Sequence, residues 1–508
     1  MKTIKAKTAV LLLFLAAAAG AQQFPSLDAA PAAGEHGRRV SGAAGSAEYW
    51  RDLSAAALWA SSVNAGPGAE EKAAAYMDRI NKAAAELAAA DLPRDPKERG
   101  EYVLGFLHRR FLKSYSEYQT RLDEIFVSGR YNCVSSAVLY LILGRSAGLN
   151  VSGVMTKDHA FATVNTGTEI IDVETTNPYG FNPGNRKEFH DNFGKATGFA
   201  YVPVKNYRDR VQISEAELVS LILSNRIAIA ERGNRFADTV PLAINRTVFL
   251  SSGPGISGGP GAGAVNISGA NAADKAAFFE DPRRDMMNRI FNLGAYFIRT
   301  GKEDDALAWA DYAAARFPDG ERWQDFVNTA VNNKLVKLIR AKKIPDARYA
   351  LTALKPKLSD SNYRTLDGLV LEAEAADKVN GIKNPGDAEA ALAFLSRSWE
   401  FLHPQRREEM RTAAVLAEAE RYGKVRNWQG GMDWLKTAMT RYGTNNKLEA
   451  ALRTLRQNRV GELHNEFALL FNKKDYDGAK ASVKRSLEEF PNERQLTQDL
   501  SMVERALQ

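Results

Sequence analysis

Cys133 is the only cysteine in a chain of 508 residues, and His159 and Asp172 follow it in separate segments. A thiol reacts as its thiolate, and the free N–H groups and dipole of a helix N-terminus favour that form. Residues 133–147, CVSSAVLYLILGRSA, read as a buried helix that ends near Gly148, with the turn-like Gly129-Arg130-Tyr131-Asn132 ahead of it. That reading puts Cys133 at the start of the helix. A base must then take and return a proton, which calls for an imidazole within hydrogen-bond reach. His159 opens the strand-like run 159–165, HAFATVN. Asp172 lies in the next such run, 169–175, EIIDVET, across an expected hairpin turn at Asn165-Thr166-Gly167-Thr168. Neighbouring strands are about 5 Å apart, so a histidine and an aspartate facing each other there can hydrogen-bond. Glu174 shares the strand face of Asp172 and reads as a tuning group or as a second polar residue.

Those elements must be positioned by the rest of the chain. Residues from about Glu48 to Leu112 carry apolar positions at three- and four-residue intervals, the spacing of helices. Leu92-Pro93 breaks one helix and Pro96 begins the next. A strand is expected over 151–156. Ser214 and Glu217 form a capping box, with Ile213 and Leu218 as its hydrophobic staple, at the head of a helix through LVSLILSNRIAIA. The runs VPLAI and TVFL, ending at Leu250, read as strands.

The segments Tyr131-Asn132-Cys133-Val134-Ser135-Ser136, Asp158-His159-Ala160-Phe161 and Ile171-Asp172-Val173-Glu174-Thr175 resemble the core of the transglutaminase-like superfamily over about residues 100–205. The resemblance implies an α+β, papain-like fold. It also implies a triad in which Cys133 is the nucleophile, His159 the general base and acid, and Asp172 the orienter. The family pairs the nucleophile's own N–H with an upstream oxyanion donor; here Tyr115, Tyr118, Gln119 and Tyr131 are the candidates. The loop 176–184 after the orienter either walls the cleft or simply connects.

Residues 251–275 are dominated by Gly, Ser, Ala and Pro, a linker composition. No Gly-Lys-Ser/Thr follows, so its glycines are not a phosphate loop. From 276 to 508 the pattern is helical. Three windows share one spacing: Gly294, Phe297, Ala306, Ala313 and Pro318; Ala419, Tyr422, Gly431 and Ala438; and Leu470, Ala479, Ser486 and Pro491. Small residues at these offsets let paired helices approach, and the windows resemble tetratricopeptide repeats. The resemblance implies a helical scaffold that binds a protein partner.

Lys2, Lys5 and Lys7, the apolar run 8–19 and Ala19-Gly20-Ala21 read as a signal peptide over 1–21, followed by a flexible leader over 22–46. The transglutaminase-like domain is then expected over 47–250. The net charge is +7, of which the three signal-peptide lysines supply three, leaving +4. That modest charge, without a Lys/Arg stripe, argues against a nucleic-acid partner. No later segment is long and apolar enough for a membrane span. Besides His159, the histidines are His36 in the leader and His108, His190, His403 and His464, none with partners at ligand spacing. No metal or cofactor is expected.

Two functions compete. One is a periplasmic or extracellular thiol enzyme that hydrolyses or transamidates a protein or peptide substrate. The other is a non-catalytic envelope scaffold whose helical repeats bind partner proteins. In the bland reading Cys133 is a small core hydrophobe, His159 a structural histidine and Asp172 a salt-bridge carboxylate.

Overall fold

The computed structural model describes residues 24–42, 46–62, 68–184, 186–197, 210–252 and 281–508. The expected signal peptide, and the glycine-rich linker from 253 onward, lie outside the described residues. The chain divides into two compact units, Met1–Pro318 and Asp319–Gln508. The architecture is α+β in the first unit and helical in the second.

In the first unit the helices are α1 Pro31–Gly42, α2 Tyr49–Ala60, α3 Ala69–Ala89, α4 Pro96–Arg110 and α5 Leu122–Ser128, then α6 Cys133–Ser146, α7 Lys187–Thr197, α8 Glu215–Arg232 and α9 Phe236–Ser251. A final pair, α10 Pro282–Arg299 and α11 Glu303–Arg316, completes it. The strands are β1 Ser114–Tyr115, β2 Arg130–Tyr131, β3 Asn150–Met155, β4 Ala160–Asn165, β5 Ile170–Val173 and β6 Val211–Ile213. β1 and β2 form a short parallel pair, and the other four form an antiparallel sheet in the order β5-β4-β3-β6.

The centre is α6. Leu139, Tyr140, Leu141, Ile142 and Leu143 are fully buried, so the helix is apolar on every face. Such a helix must be enclosed. It packs on β3 and β4 and is ringed by α2, α3, α4, α5 and α8. Alternate residues of β4 and β5, among them Ala160, Ala162, Val164, Ile171 and Val173, join the same core. The opposite sheet face carries Phe161 and Thr163, both buried.

The capping signals read from sequence are present. Ser214 and Glu217 bond reciprocally through Ser214 N–H to Glu217 Oε2 (2.8 Å) and Glu217 N–H to Ser214 Oγ (3.2 Å). Asp95 caps α4 just before Pro96. Two expectations are corrected. Residues 31–42 of the expected flexible leader are helical and packed on α9. Small residues make this possible: a Cβ on Gly37 would lie 2.3 Å from the Phe249 carbonyl oxygen. The runs VPLAI and TVFL are not strands but lie in α9. Val240, Ala243, Ile244, Thr247 and Leu250 are buried at helical intervals, and this face outweighs the β-branched composition and the internal Pro241.

The second unit runs α12 Gly320–Arg340, α13 Ile344–Leu354, α14 Asp360–Asn380, α15 Asp387–Arg397, α16 Pro404–Lys424, α17 Trp428–Tyr442, α18 Asn446–Asn472, α19 Tyr476–Glu489 and α20 Arg494–Ala506. Each helix packs on the next, and α12, α14, α16, α18 and α20 also meet in succession. This is a stack of helical hairpins, in which each pair buries its face against its neighbours. The small residues at the shared spacing sit at these contacts: Ala419, Gly431, Ala438, Ala479 and Ser486 are all buried. A Cβ on Gly431 would meet Tyr422 Cβ at 3.1 Å and Leu455 at 2.8 Å. The first window, on α10 and α11, falls in the first compact unit, which ends at Pro318.

Candidate active site

Asn132 fixes the start of α6. Its side chain accepts from the Ser135 N–H at 2.9 Å, and Ser135 Oγ accepts from the Asn132 N–H at 2.9 Å. The Asn132 amide also donates to the Glu117 carbonyl at 3.2 Å. This box leaves Cys133 as the first helical residue, half-buried, with its own N–H free of an intrahelical acceptor.

His159 ends the four-residue turn between β3 and β4, where its carbonyl accepts from the Thr156 N–H at 2.8 Å. Its Nε2 lies 2.6 Å from Glu174 Oε2. An ionised carboxylate only accepts, so Nε2 carries the proton. Cys133 is the second polar partner of the ring. Burial alone would push the imidazole's basicity down. The Glu174 charge and a hydrogen bond from the protonated ring to Cys133 overcome it and hold the pKa well above its usual value. Phe161 and Phe193 of α7 flank the ring, each with centroids 6.2 Å away.

Asp172 does not hold the place next to His159. Its two oxygens accept a bidentate pair from Arg210 at 2.6 and 2.7 Å. Arg210 precedes β6 at the far edge of the sheet and passes over the ring of Phe161, 5.4 Å from its centroid, to reach β5. The register explains the difference. Asp172 pairs with Thr163, well inside the ladder, whereas the ladder ends at Ala162 and Val173. Glu174 lies just past that end, level with the start of β4, where His159 stands. The observed register, with Asn165 opposite Ile170, sets Phe161 opposite Glu174.

Glu174 is itself held from several sides. Its Oε1 accepts from Thr176 N–H at 3.2 Å and Thr176 Oγ1 at 2.7 Å. The loop that follows is tied to three elements. Ser136 of α6 shares a 2.8 Å hydrogen bond with Thr175 Oγ1. The Tyr131 hydroxyl donates to the Thr176 carbonyl at 3.1 Å. Burial and the Glu174 charge push that phenol up to about 12. His108 Nε2 donates to the Thr175 carbonyl at 3.1 Å, and burial lowers its pKa to about 4, so it stays neutral. Sequence reasoning assigned no role to His108, Ser136 or the two threonines; each acts through tertiary contacts that no spacing encodes.

The loop closes where the Glu174 N–H donates to the Gly180 carbonyl at 2.8 Å. A Cβ on Gly180 would fall 1.9 Å from the Glu174 carbonyl oxygen. Gly180→Ala is therefore expected to displace Glu174 and cost about 1–3 kcal/mol. Denaturant titration of the variant checks this.

The four upstream donor candidates separate cleanly. The Gln119 amide donates to the Arg121 and Arg130 carbonyls. Tyr131 is committed to Thr176. Tyr118 is exposed under the guanidinium of Arg232. Tyr115 pairs with Tyr131 across the parallel β1–β2 ladder, two residues before Cys133. Among the described residues no group of three or more His, Cys, Asp or Glu could hold a metal ion, and no helix is long and apolar enough to cross a membrane. No family model, curated protein or solved structure matches the chain.

Proposed function

We propose that the first unit is a transglutaminase-like thiol enzyme that acts on amide or peptide bonds through Cys133, His159 and Glu174. The observation that carries this reading is the buried Glu174–His159 pair set against a thiol at the capped start of a buried helix. A structural histidine needs one partner; this one has a carboxylate on one side and the lone cysteine on the other. The antiparallel sheet packed on that helix supports a papain-like core.

The chemistry follows from the arrangement. The Cys133 thiolate, beside the imidazolium, attacks the carbonyl carbon, and the C–O π electrons move to oxygen. Collapse of the adduct breaks the C–N bond, and the imidazole nitrogen not engaged by Glu174 gives its proton to the leaving amine. Water then attacks the thioester, His159 takes its proton, and the C–S bond breaks to release a carboxylic acid. An amine in place of water gives a new amide. Hydrolysis is the simpler outcome and is the one we favour.

The hairpin stack of the second unit, whose small-residue spacing resembles tetratricopeptide repeats, would recruit a protein partner or substrate. A cavity of about 420 Å³ there, lined by Leu392, Leu395, Trp399, Arg411 and Tyr442 among others, offers an apolar and cationic surface for a peptide. Residues 1–21 read as a signal peptide, and with it the enzyme would act in the periplasm or outside the cell.

An activated ester tests the reaction without knowledge of the natural substrate. p-Nitrophenyl acetate should acetylate Cys133 and release p-nitrophenolate in a burst, with the acetyl group mapped to the Cys133 peptide by mass spectrometry. Cys133→Ala should abolish the burst. An added primary amine that accelerates turnover would mark aminolysis. Equal p-nitrophenolate release by the wild type and Cys133→Ala would sink the reading.

A further inference from the structure

Glu174 meets the His159 ring with one carboxylate oxygen, Oε2, at 2.6 Å. A carboxylate held at a single oxygen can still turn about its last torsion, whose minima are broad. The other oxygen decides whether it does. Two donors converge on Oε1, the Thr176 hydroxyl at 2.7 Å and the Thr176 N–H at 3.2 Å. Bonds to an ionised oxygen are short and strong, and the hydroxyl makes the shorter of the two. Glu174, Thr175 and Thr176 are each at most 3% exposed, so these bonds are shielded from water.

Thr176 is held in turn by the segment that carries the thiol. Tyr131, two residues before Cys133, donates its hydroxyl to the Thr176 carbonyl at 3.1 Å. Ser136, three residues after Cys133, shares a 2.8 Å hydrogen bond with the Thr175 hydroxyl. His108 of α4 bonds the Thr175 carbonyl at 3.1 Å. The donor that faces Glu174 is thus fixed relative to residues on both sides of the nucleophile. We propose that Thr176 is a positioning residue: its hydroxyl, through Glu174 Oε1, keeps Oε2 on the His159 ring and so keeps the imidazole aimed at Cys133.

The inference rests on the thiol-enzyme reading above, and a crossed pair of substitutions separates the two. Thr176→Val keeps the shape and loses the hydroxyl; Thr176→Ser keeps the hydroxyl and loses the methyl group. Thr176→Val should slow the p-nitrophenyl acetate burst by about tenfold, the lower end of what a hydrogen bond to a charged group supplies. Thr176→Ser should restore the rate to within about threefold of wild type. A residue that serves only packing would give the reverse order, with serine the slower. A second comparison isolates the route. In a Glu174→Gln background the carboxylate that Thr176 positions is gone, so adding Thr176→Val should slow the residual rate by less than about twofold. A further tenfold loss in that background, a Thr176→Val burst within twofold of wild type, or a Thr176→Ser burst as slow as that of Thr176→Val overturns the proposal and leaves the thiol-enzyme reading standing. A wild-type protein that gives no burst ends both.

Discussion

Glu174→Gln should slow acyl transfer to Cys133 by about 10²–10⁴-fold, whereas Asp172→Asn should leave it within a few-fold of wild type. The first expectation follows from charge. The amide is nearly isosteric and can still bond the His159 ring, but it cannot neutralise an imidazolium or fix its tautomer. The loss of an orienting carboxylate in acyl-transfer triads has this order of effect. The second expectation follows from the Arg210 pair, which removes Asp172 from the histidine. Asp172→Asn should instead cost stability, by about 3 kcal/mol, because it leaves the Arg210 guanidinium over the sheet without its counter-charge. Burst amplitudes and rates, with denaturant titrations of both variants, separate the two roles. A slow Asp172→Asn and a normal Glu174→Gln would reverse the assignment.

The second large effect is on pH dependence. His159 titrates well above its ordinary 6.5 because the Glu174 charge and the Cys133 hydrogen bond outweigh burial. In the proposed reaction the protonated ring is the acid that serves the leaving group. It persists above pH 6.5 and is lost as pH rises through the raised pKa. The profile of kcat/KM should therefore show an alkaline limb displaced upward from 6.5. In Glu174→Gln the largest raising influence is gone, so the limb should move down relative to wild type. Stability should follow the same sign. A raised folded-state pKa contributes stability that is complete below 6.5 and vanishes as pH rises through the folded value. The stability gap between wild type and Glu174→Gln should narrow across that interval. An alkaline limb at the same pH in both proteins would contradict this account.

Much of this site was legible as residue types. Cys133 at a helix start and His159 just ahead of a strand follow from the apolar run 133–147 and the alternation after it. The choice between Asp172 and Glu174 was not, because both lie on one strand face and only the register distinguishes them. Register depends on turn length, and a difference of two residues moves a carboxylate by about 7 Å along the strand. The capping box at Ser214 was legible because it is local. The helix over 31–42 was not, because Gly and Ala there reflect close approach to α9 rather than flexibility. The strand reading of VPLAI and TVFL followed β propensity, which the period of Val240, Ala243, Ile244 and Thr247 overrides. The tail's small-residue spacing pointed correctly to paired helices, but not to the break between compact units at 318–319.

The central claim is that Cys133, His159 and Glu174 act as one unit. The rate of Cys133 alkylation by iodoacetamide near pH 6, compared between the wild type and His159→Ala, tests it most directly. The account predicts that wild-type Cys133 reacts at least tenfold faster than an unperturbed thiol and that His159→Ala removes this advantage. Equal, slow alkylation of both proteins would contradict it.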